Sequence, residues 1–340
     1  MKSVLRTIFV ITAFFCVTQS SAVIKKPLQN FKISGYAQGT TYHVSYFAQD
    51  SLVSAQDLDL VLAGIDSSLS LYKPYSIINK FNNSQAGTEI DGHFRKVYIK
   101  SEEVTRRTDG LFDITVQPLV QAWGFGAEKA SSLPDSATVR SILKCVGAEK
   151  VKLSNNALLK TLPCVKVDMD GIAQGYSVDI LADFLKSRKI RNFMVELGGE
   201  IRVEGRKPSG AFFSIGIETP GSDETPGQPL QKILNVQGGA ITTSGNYRNY
   251  HTSGARRISH IINPRTGFPE ESELISVTVH AQDAITADAY DNALMLMGLK
   301  KALAFVENTD DLAAYFIYRR QDGSVADTAC RKFKKILNQK

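Results

Sequence analysis

The sequence predicts an α+β fold of mixed sheets with flanking helices. Strand-like and helix-like runs fall in separate groups, without the regular alternation that builds a parallel sheet. No unit repeats at a fixed period. Neither a Gly-x-Gly-x-x-Gly turn after a strand nor a Walker-type Gly-Lys-Ser/Thr is present, so any nucleotide is held by another device. With 340 residues, 43% hydrophobic and 22% charged, the chain can fill one large core or two smaller ones joined closely.

Each element follows from local pattern. Phe31–Phe47 reads as paired strands, with Ala37-Gln38-Gly39 leading into the alternating Tyr42-His43-Val44-Ser45-Tyr46. Gln56–Leu71 has helical spacing through Leu58, Val61, Leu62, Ile65 and Leu69. Phe94–Thr108 is a second amphipathic helix, stopped at Asp109-Gly110, where glycine accepts the conformation of a helix end. Ala127–Pro134 reads as a linker and Ala137–Val146 as a short helix. Gly171–Arg188 is a long helix with Ile172, Tyr176, Ile180 and Phe184 along one stripe. Strands are expected at Phe193–Val203, Phe212–Glu218, Ile233–Val236 and Ala240–Thr243, with Thr219–Pro229 an exposed loop. A strand at Ile275–His280, helices at Ala287–Met297 and Lys300–Glu307, and a last strand at Ala313–Tyr318 complete the chain.

The first residues are a targeting segment. Lys2 and Arg6 precede an apolar stretch from Ile8 to Val17, and small residues at Ser20 and Ala22 suit cleavage before Val23. The stretch is too short to span a bilayer comfortably. Phe14 and Phe15 are bulky where lipid attachment at Cys16 would want small neighbours. The expected organisation is a signal peptide over 1–22 and one domain over 23–340, exported to the periplasm. Cys145, Cys164 and Cys330 then remain, an odd number that encodes no disulfide framework. A Cys145–Cys164 bridge is compatible with the sequence but not readable from it. No Cys-x-x-Cys or His-rich cluster points to zinc. The formal charge is +6, spread along the chain with small clusters at Arg319-Arg320 and Lys332, Lys334 and Lys335. No aromatic-basic repeat accompanies these residues, so they read as solvated surface and not as a nucleic-acid site.

Three constellations can carry chemistry. In Thr286-Ala287-Asp288-Ala289-Tyr290-Asp291-Asn292, Thr286 reads as an N-cap and Gly298 as the helix stop. Asp288 and Asn292, four residues apart, share a face, with Asp291 alongside. A carboxylate plus an amide oxygen suits Mg²⁺, and the same pattern also suits an acidic helix start with a surface-directed carboxylate that offsets the dipole. In Asp168-Met169-Asp170-Gly171, a strand ends in carboxylates and passes into a helix through Gly171, whose backbone can approach a cation or an anion closely. Thr242-Thr243-Ser244-Gly245-Asn246-Tyr247 and Ser259-His260-Ile261-Ile262-Asn263-Pro264-Arg265 place hydroxyls, an imidazole and a guanidinium near tight turns. No Gly-x-Ser-x-Gly elbow surrounds Ser244, which argues against a serine hydrolase.

Further motifs join these in order: Gly35–Tyr42, Leu69-Ser70-Leu71-Tyr72-Lys73-Pro74 with Ser76 and Asn79, Thr108–Val116, Trp123–Gly126, Val167–Tyr176, Glu196-Leu197-Gly198-Gly199-Glu200 and Thr243-Ser244-Gly245. From Gly35 to about Phe316 the chain resembles the ApbE family of FAD:protein FMN transferases. The resemblance implies FAD in a cleft between two subdomains, with Mg²⁺ at its pyrophosphate. It implies flavin contacts at Gln38, Tyr72, Leu111, Phe112, Asp113, Asp168, Gln174 and Ile262. It implies metal ligands at the Gly171 carbonyl, Asp288 and Asn292, and a reactive role for His260 and Asp288. Methionine is common in the family at Gln38, lysine or glutamate at Gln174, and threonine at Asn292; asparagine still offers an oxygen ligand. The implied partner is an acceptor flavoprotein subunit with a Thr/Ser flavinylation motif, in a membrane redox complex or exported reductase, which brings the chain near a membrane. Two other outcomes use the same residues: Mg²⁺-dependent FAD hydrolysis to FMN and AMP, and FAD binding without catalysis.

N-terminal sequencing of the secreted protein is expected to begin at Val23, without lipid; an acylated Cys16 would overturn the cleavage reading.

Overall fold

The computed structural model describes residues 26–128, 132–218, 230–246, 250–253 and 256–339. The expected signal peptide, the Thr219–Pro229 loop and Tyr247 lie outside the described residues. In chain order the elements are β1 (Gln29–Ala37), β2 (Thr40–Ala48), α1 (Ala55–Leu69), α2 (Ile77–Asn83), β3 (Gly87–Glu89), α3 (Gly92–Arg107), α4 (Gln117–Ala122), α5 (Ser136–Leu143), β4 (Val151–Ser154), β5 (Ala157–Lys160) and α6 (Asp170–Ser187). They continue with β6 (Phe193–Leu197), β7 (Glu200–Glu204), β8 (Phe213–Glu218), β9 (Leu230–Val236), β10 (Gly238–Gly245), β11 (Tyr250–Ser253), β12 (Arg256–Ser259), β13 (Leu274–Ala281), α7 (Ala284–Met297), α8 (Leu299–Glu307), β14 (Ala313–Arg319), β15 (Val325–Ala329) and α9 (Arg331–Leu337).

The frame is an eight-stranded sheet in the order β1-β2-β6-β7-β10-β13-β14-β15, and every neighbouring pair in it is antiparallel. Its first hairpin turns on Gln38 and Gly39, whose φ values of 52° and 78° are both positive. That geometry matches the twist of the flanking strands. Tyr42, Val44 and Tyr46 alternate inward on β2, as the period-two pattern requires. On α1, the Ser54–Asp57 capping box closes the first turn, and Leu58, Leu62, Ile65 and Leu69 form the buried stripe. Helices α6 and α7 pack against each other and against strands β6, β7, β10 and β13. Smaller sheets, β3-β5-β4, β8-β9 and β11-β12, sit outside the main one.

Several expectations change. Phe193–Val203 is two strands, because Gly198 and Gly199 take φ values of 66° and 113° and reverse the chain between Leu197 and Glu200. Ala313–Tyr318 is not the last strand, since β15 pairs beside it and α9 follows. Helix α7 starts at Ala284, capped by Asp283, so Thr286 is an interior residue whose N–H donates to that cap. Among the described helices, none is long and apolar enough to cross a membrane.

Two apolar clusters form the interior. The large one fills the space between the main sheet and its helices. The small one joins Leu119, Trp123, Val139, Val146 and Ile262, so that α4 and α5 support the segment carrying His260 and Ile262. Trp123 Nε1 donates to the Gly267 carbonyl at 2.8 Å and pins that segment down. Cys145, just after α5, is disulfide-bonded to Cys164, just before the Asp168 segment. The third cysteine, Cys330, is buried, caps α9 and takes no part in a bridge. Of the three cysteines among the described residues, two are bridged and one is a buried free thiol.

Replacing both Cys145 and Cys164 with serine is expected to lower the unfolding free energy by about 3 kcal/mol in urea titrations, the value for a loop of this size. Cys330 should resist a thiol reagent until the chain unfolds.

Candidate active site

Helices α6 and α7 approach each other where α6 carries glycine. A Cβ on Gly175 would lie 2.3 Å from the Ala284 carbonyl oxygen and 2.7 Å from Asp288 Cβ, so only glycine fits. The Gly175 N–H donates to Asp288 Oδ2 at 2.8 Å. One turn earlier, Gly171 leaves the helical conformation at φ −81°, ψ 16°. A Cβ there would come within 3.3 Å of Asn292 Nδ2. Sequence neighbours on each helix therefore meet across the pair: Gly171 faces Asn292, and Gly175 faces Asp288.

A cavity of about 760 Å³ opens at this junction. Its wall includes Tyr72, Leu111, Phe112, Asp113, Asp168, Asp170, Gly171, Gln174, Glu200, Ser244, His260, Ile262, Asp288, Asp291 and Asn292. Local chemistry places each part. The Asn79 amide donates to the carbonyls of Leu71 and Lys73, both at 2.9 Å, and so shapes the loop that projects Tyr72. Thr108 Oγ1 accepts from the Phe112 N–H, closing the turn after α3. Asp113 caps the short helix that follows by accepting from the Thr115 N–H and hydroxyl. The Asn82 side chain clasps both backbone groups of Val167 and fixes the approach to Asp168. His260 meets the edge of Phe125, ring centroids 6.2 Å apart. The Ser244 hydroxyl donates to Asn292 Oδ1 at 3.0 Å, a partner outside any Ser-His-Asp arrangement.

The ApbE family pattern matches residues 38–316. The FAD:protein FMN transferase of Haemophilus influenzae is 34% identical over 94% of this chain and 95% of its own length. The chain belongs to the ApbE family. The corresponding Vibrio cholerae protein is also 34% identical, over 93% of this chain and 95% of its own. The solved flavin transferase ApbE from Vibrio cholerae superposes with a TM-score of 0.82 at 33% identity, covering 92% of this chain and 100% of that one. The apo flavinyl transferase ApbE from Pseudomonas stutzeri gives 0.82 at 30% identity, covering 92% and 98%.

Within this ApbE-family site, one expected residue stands apart. Gln38 lines an adjoining cavity of about 700 Å³ with Tyr36, Asp66 and Lys73, which meets the first at Tyr72, Asp170 and Gln174. Its left-handed hairpin position directs it there. The other expected residues line the first cavity together. The sequence shows Asp170 only as one of the carboxylates ahead of Gly171 and gives Glu200 no role; the Glu196–Glu200 motif was visible, but its reversal at Gly198-Gly199, which brings Glu200 to the cavity, was not.

Charge is the main electrostatic feature. Six carboxylates, Asp113, Asp168, Asp170, Glu200, Asp288 and Asp291, line the cavity, and no Lys or Arg is among the described lining residues. Burial raises Asp288 from 3.8 to about 7, against the hydrogen bond from Gly175. Asp291 is pushed well up by burial and then by Asp288. Asp170 is pushed well up by desolvation and then by Asp168 and Asp288; its exposed surface is cavity surface, hemmed in by protein. Asp288 is buried, which replaces the expectation of a surface-directed carboxylate, and the first turn of α7 is free of acids.

These residues fit a hard divalent cation. Asp291 Oδ1 and Thr242 Oγ1 are buried without a hydrogen-bond partner, although the nearby hydroxyl still favours the charged acid. No group of three or more His, Cys, Asp or Glu forms a metal cage among the described residues. Mg²⁺ matches that situation, because it takes one or two carboxylates and completes its shell with carbonyls, water and substrate phosphate. Asp288, Asn292 and the Gly171 carbonyl are the residues that would hold it, and its positive charge would offset both the acids and a bound diphosphate.

The pH dependence follows from these raised acids. Folded chains without cation keep protons that unfolded chains release near pH 4, so stability falls as pH rises from about 4 through 7 and above. In EDTA, melting temperature should drop over that range, and Mg²⁺ should restore it most at the alkaline end. Asp288→Asn keeps an acceptor for Gly175 while removing charge; it should raise the melting temperature in EDTA and reduce the Mg²⁺ increment.

Proposed function

We propose that this chain is an exported FAD:protein FMN transferase that uses Mg²⁺. The observation that carries this reading is the acid-lined cavity, with no Lys or Arg among its described lining residues, in a chain of this family. A dianionic diphosphate meets repulsion from those carboxylates unless a divalent cation accompanies it. Apolar and aromatic surface for a flavin ring lies alongside, from Tyr72, Leu111, Phe112 and Ile262. Export is supported by the Cys145–Cys164 bridge, which belongs to an oxidising compartment.

In the proposed reaction a Thr or Ser hydroxyl of the acceptor flavoprotein attacks the FMN-side phosphorus of FAD. A P–O bond forms to the hydroxyl oxygen, the bond to the bridging oxygen breaks, and AMP leaves with that oxygen. The hydroxyl proton passes to His260 or to a cavity carboxylate, the groups in the lining able to accept it. Positioning and charge neutralisation dominate such transfers. The chain's contribution is to hold FAD against the α6–α7 junction, to keep Asp288 and Asn292 on one face, and to narrow access for water.

Mass spectrometry of a co-expressed acceptor separates this reading from its rivals: FMN mass added to the acceptor supports transfer, free FMN alone indicates hydrolysis, and intact FAD indicates a binding protein. Asp288→Ala should reduce flavinylation by about a hundredfold or more, through the several kcal/mol that charge stabilisation supplies. Asn292→Thr should retain activity because a hydroxyl oxygen replaces the amide oxygen, whereas Asn292→Leu should lose it. Full activity of Asp288→Ala at limiting Mg²⁺ would sink the metal assignment.

A further inference from the structure

We propose that Asp179, two helical turns from Gly171, is a positioning residue that sets the register of α7 on α6. The two helices meet in rungs spaced four residues apart and running in opposite directions. Gly171 faces Asn292, Gly175 donates to Asp288 at 2.8 Å, and Asp179 receives the start of α7. At the last rung, the Ala284 N–H donates to Asp179 Oδ1 and the Ile285 N–H to Oδ2, both at 2.9 Å. The Thr286 N–H is already taken by the cap residue Asp283 at 3.1 Å. Ala284 and Ile285 are buried, so no water replaces Asp179 at those two donors.

Asp179 is itself held. Arg202 Nη1 on β7 donates to Asp179 Oδ1 at 2.7 Å, with both side chains about nine-tenths hidden. A carboxylate that accepts two helix N–H groups and a guanidinium has one position, and that position is tied to the main sheet. Sliding α7 by one residue breaks both helix bonds and carries Asp288, Asp291 and Asn292 away from Gly171 and Gly175 together. From Asp179 to Gly171 the α6 axis spans about 12 Å, so Asp179 touches neither cation nor FAD. Its main effect reaches the cavity through the register of the helix pair, with its negative charge also felt at Asp288.

The cation part of this inference rests on the functional reading above; the register part does not. The test uses the whole protein with Asp179→Asn, whose amide offers one acceptor and turns an N–H₂ toward the other helix donor. Amide hydrogen exchange in EDTA should show the Gly175 N–H exchanging about tenfold faster or more, while amides in β13 and β14 keep their protection. Mn²⁺ titration, followed by the EPR signal of the free ion, should show about tenfold to hundredfold weaker binding, the loss typical when support behind a ligand is removed. Phe333→Leu, which trims a buried ring of α9 stacked on Tyr315, should lower the melting temperature without changing Mn²⁺ affinity. Should Asp179→Asn not fold, Arg202→Gln leaves both helix bonds and should shift both readouts in the same direction by less, with Arg202→Lys restoring them. Unchanged Gly175 exchange in Asp179→Asn, or in Arg202→Gln where that variant replaces it, would overturn the register role. Wild-type protein that ignores Mn²⁺ would instead sink the cation reading and leave the register result to stand by itself.

Discussion

The hydrogen bond from the Gly175 backbone to the buried Asp288 carboxylate organises the site, because it forms where α6 and α7 come closest. Glycine at 175 removes the side chain that would hold the helices apart. The carboxylate then lies against an N–H of the neighbouring helix and stays buried at a cost that one hydrogen bond offsets only in part. Two helices that each pack on the antiparallel sheet are thereby locked face to face, and the polar residues of α7 line up against the kink at Gly171. Without that close approach Asp288, Asp291 and Asn292 would be an acidic patch on a helix and little more.

Concentrating acids in this way opposes folding and favours binding. Burial raises these acids, and Asp170 is raised further by Asp168 and Asp288 and Asp291 by Asp288 and Glu200, so the cation-free site holds protons that the unfolded chain would give up. In the proposed function such a site takes a cation and an anionic substrate together, since either one alone would meet more repulsion or less attraction than the pair. Its second wall is built separately. The small apolar cluster around Trp123 and Ile262 positions the His260 segment, and the Cys145–Cys164 bridge links this wall to the loop that delivers Asp168. The two sides of the cavity are thus joined covalently outside it and by hydrogen bonds beneath it.

Much of this was legible from local pattern. Long amphipathic helices such as α1, α3 and α6 announce themselves through apolar spacing, and β1, β2 and β13 through alternation. Short elements did not: α2, α4 and the β3-β5-β4 sheet have too few residues for a period to show. The Leu197-Gly198-Gly199-Glu200 run looked like continuous strand because apolar residues flank it on both sides, yet only the sheet reveals that the chain doubles back there. Thr286 looked like a cap because it is one by type. Asp283 won the role because the helix is fed directly from β13 and its first turn is buried against α6.

Composition, spacing and motif order in the sequence determined the α+β class and the family resemblance, and the motifs held most of the residues that line the cavity. These are local or additive properties, readable one segment at a time. Tertiary structure alone decided that Asp288 is buried, that Glu200 and Asp170 join the acids, that Cys145 finds Cys164, and that Asp179 supports α7 from two turns away. Each of these depends on two distant segments meeting at a distance of a few ångströms. No periodicity records such a meeting, because the closeness of a helix pair is set by a missing Cβ and by the sheet beneath it.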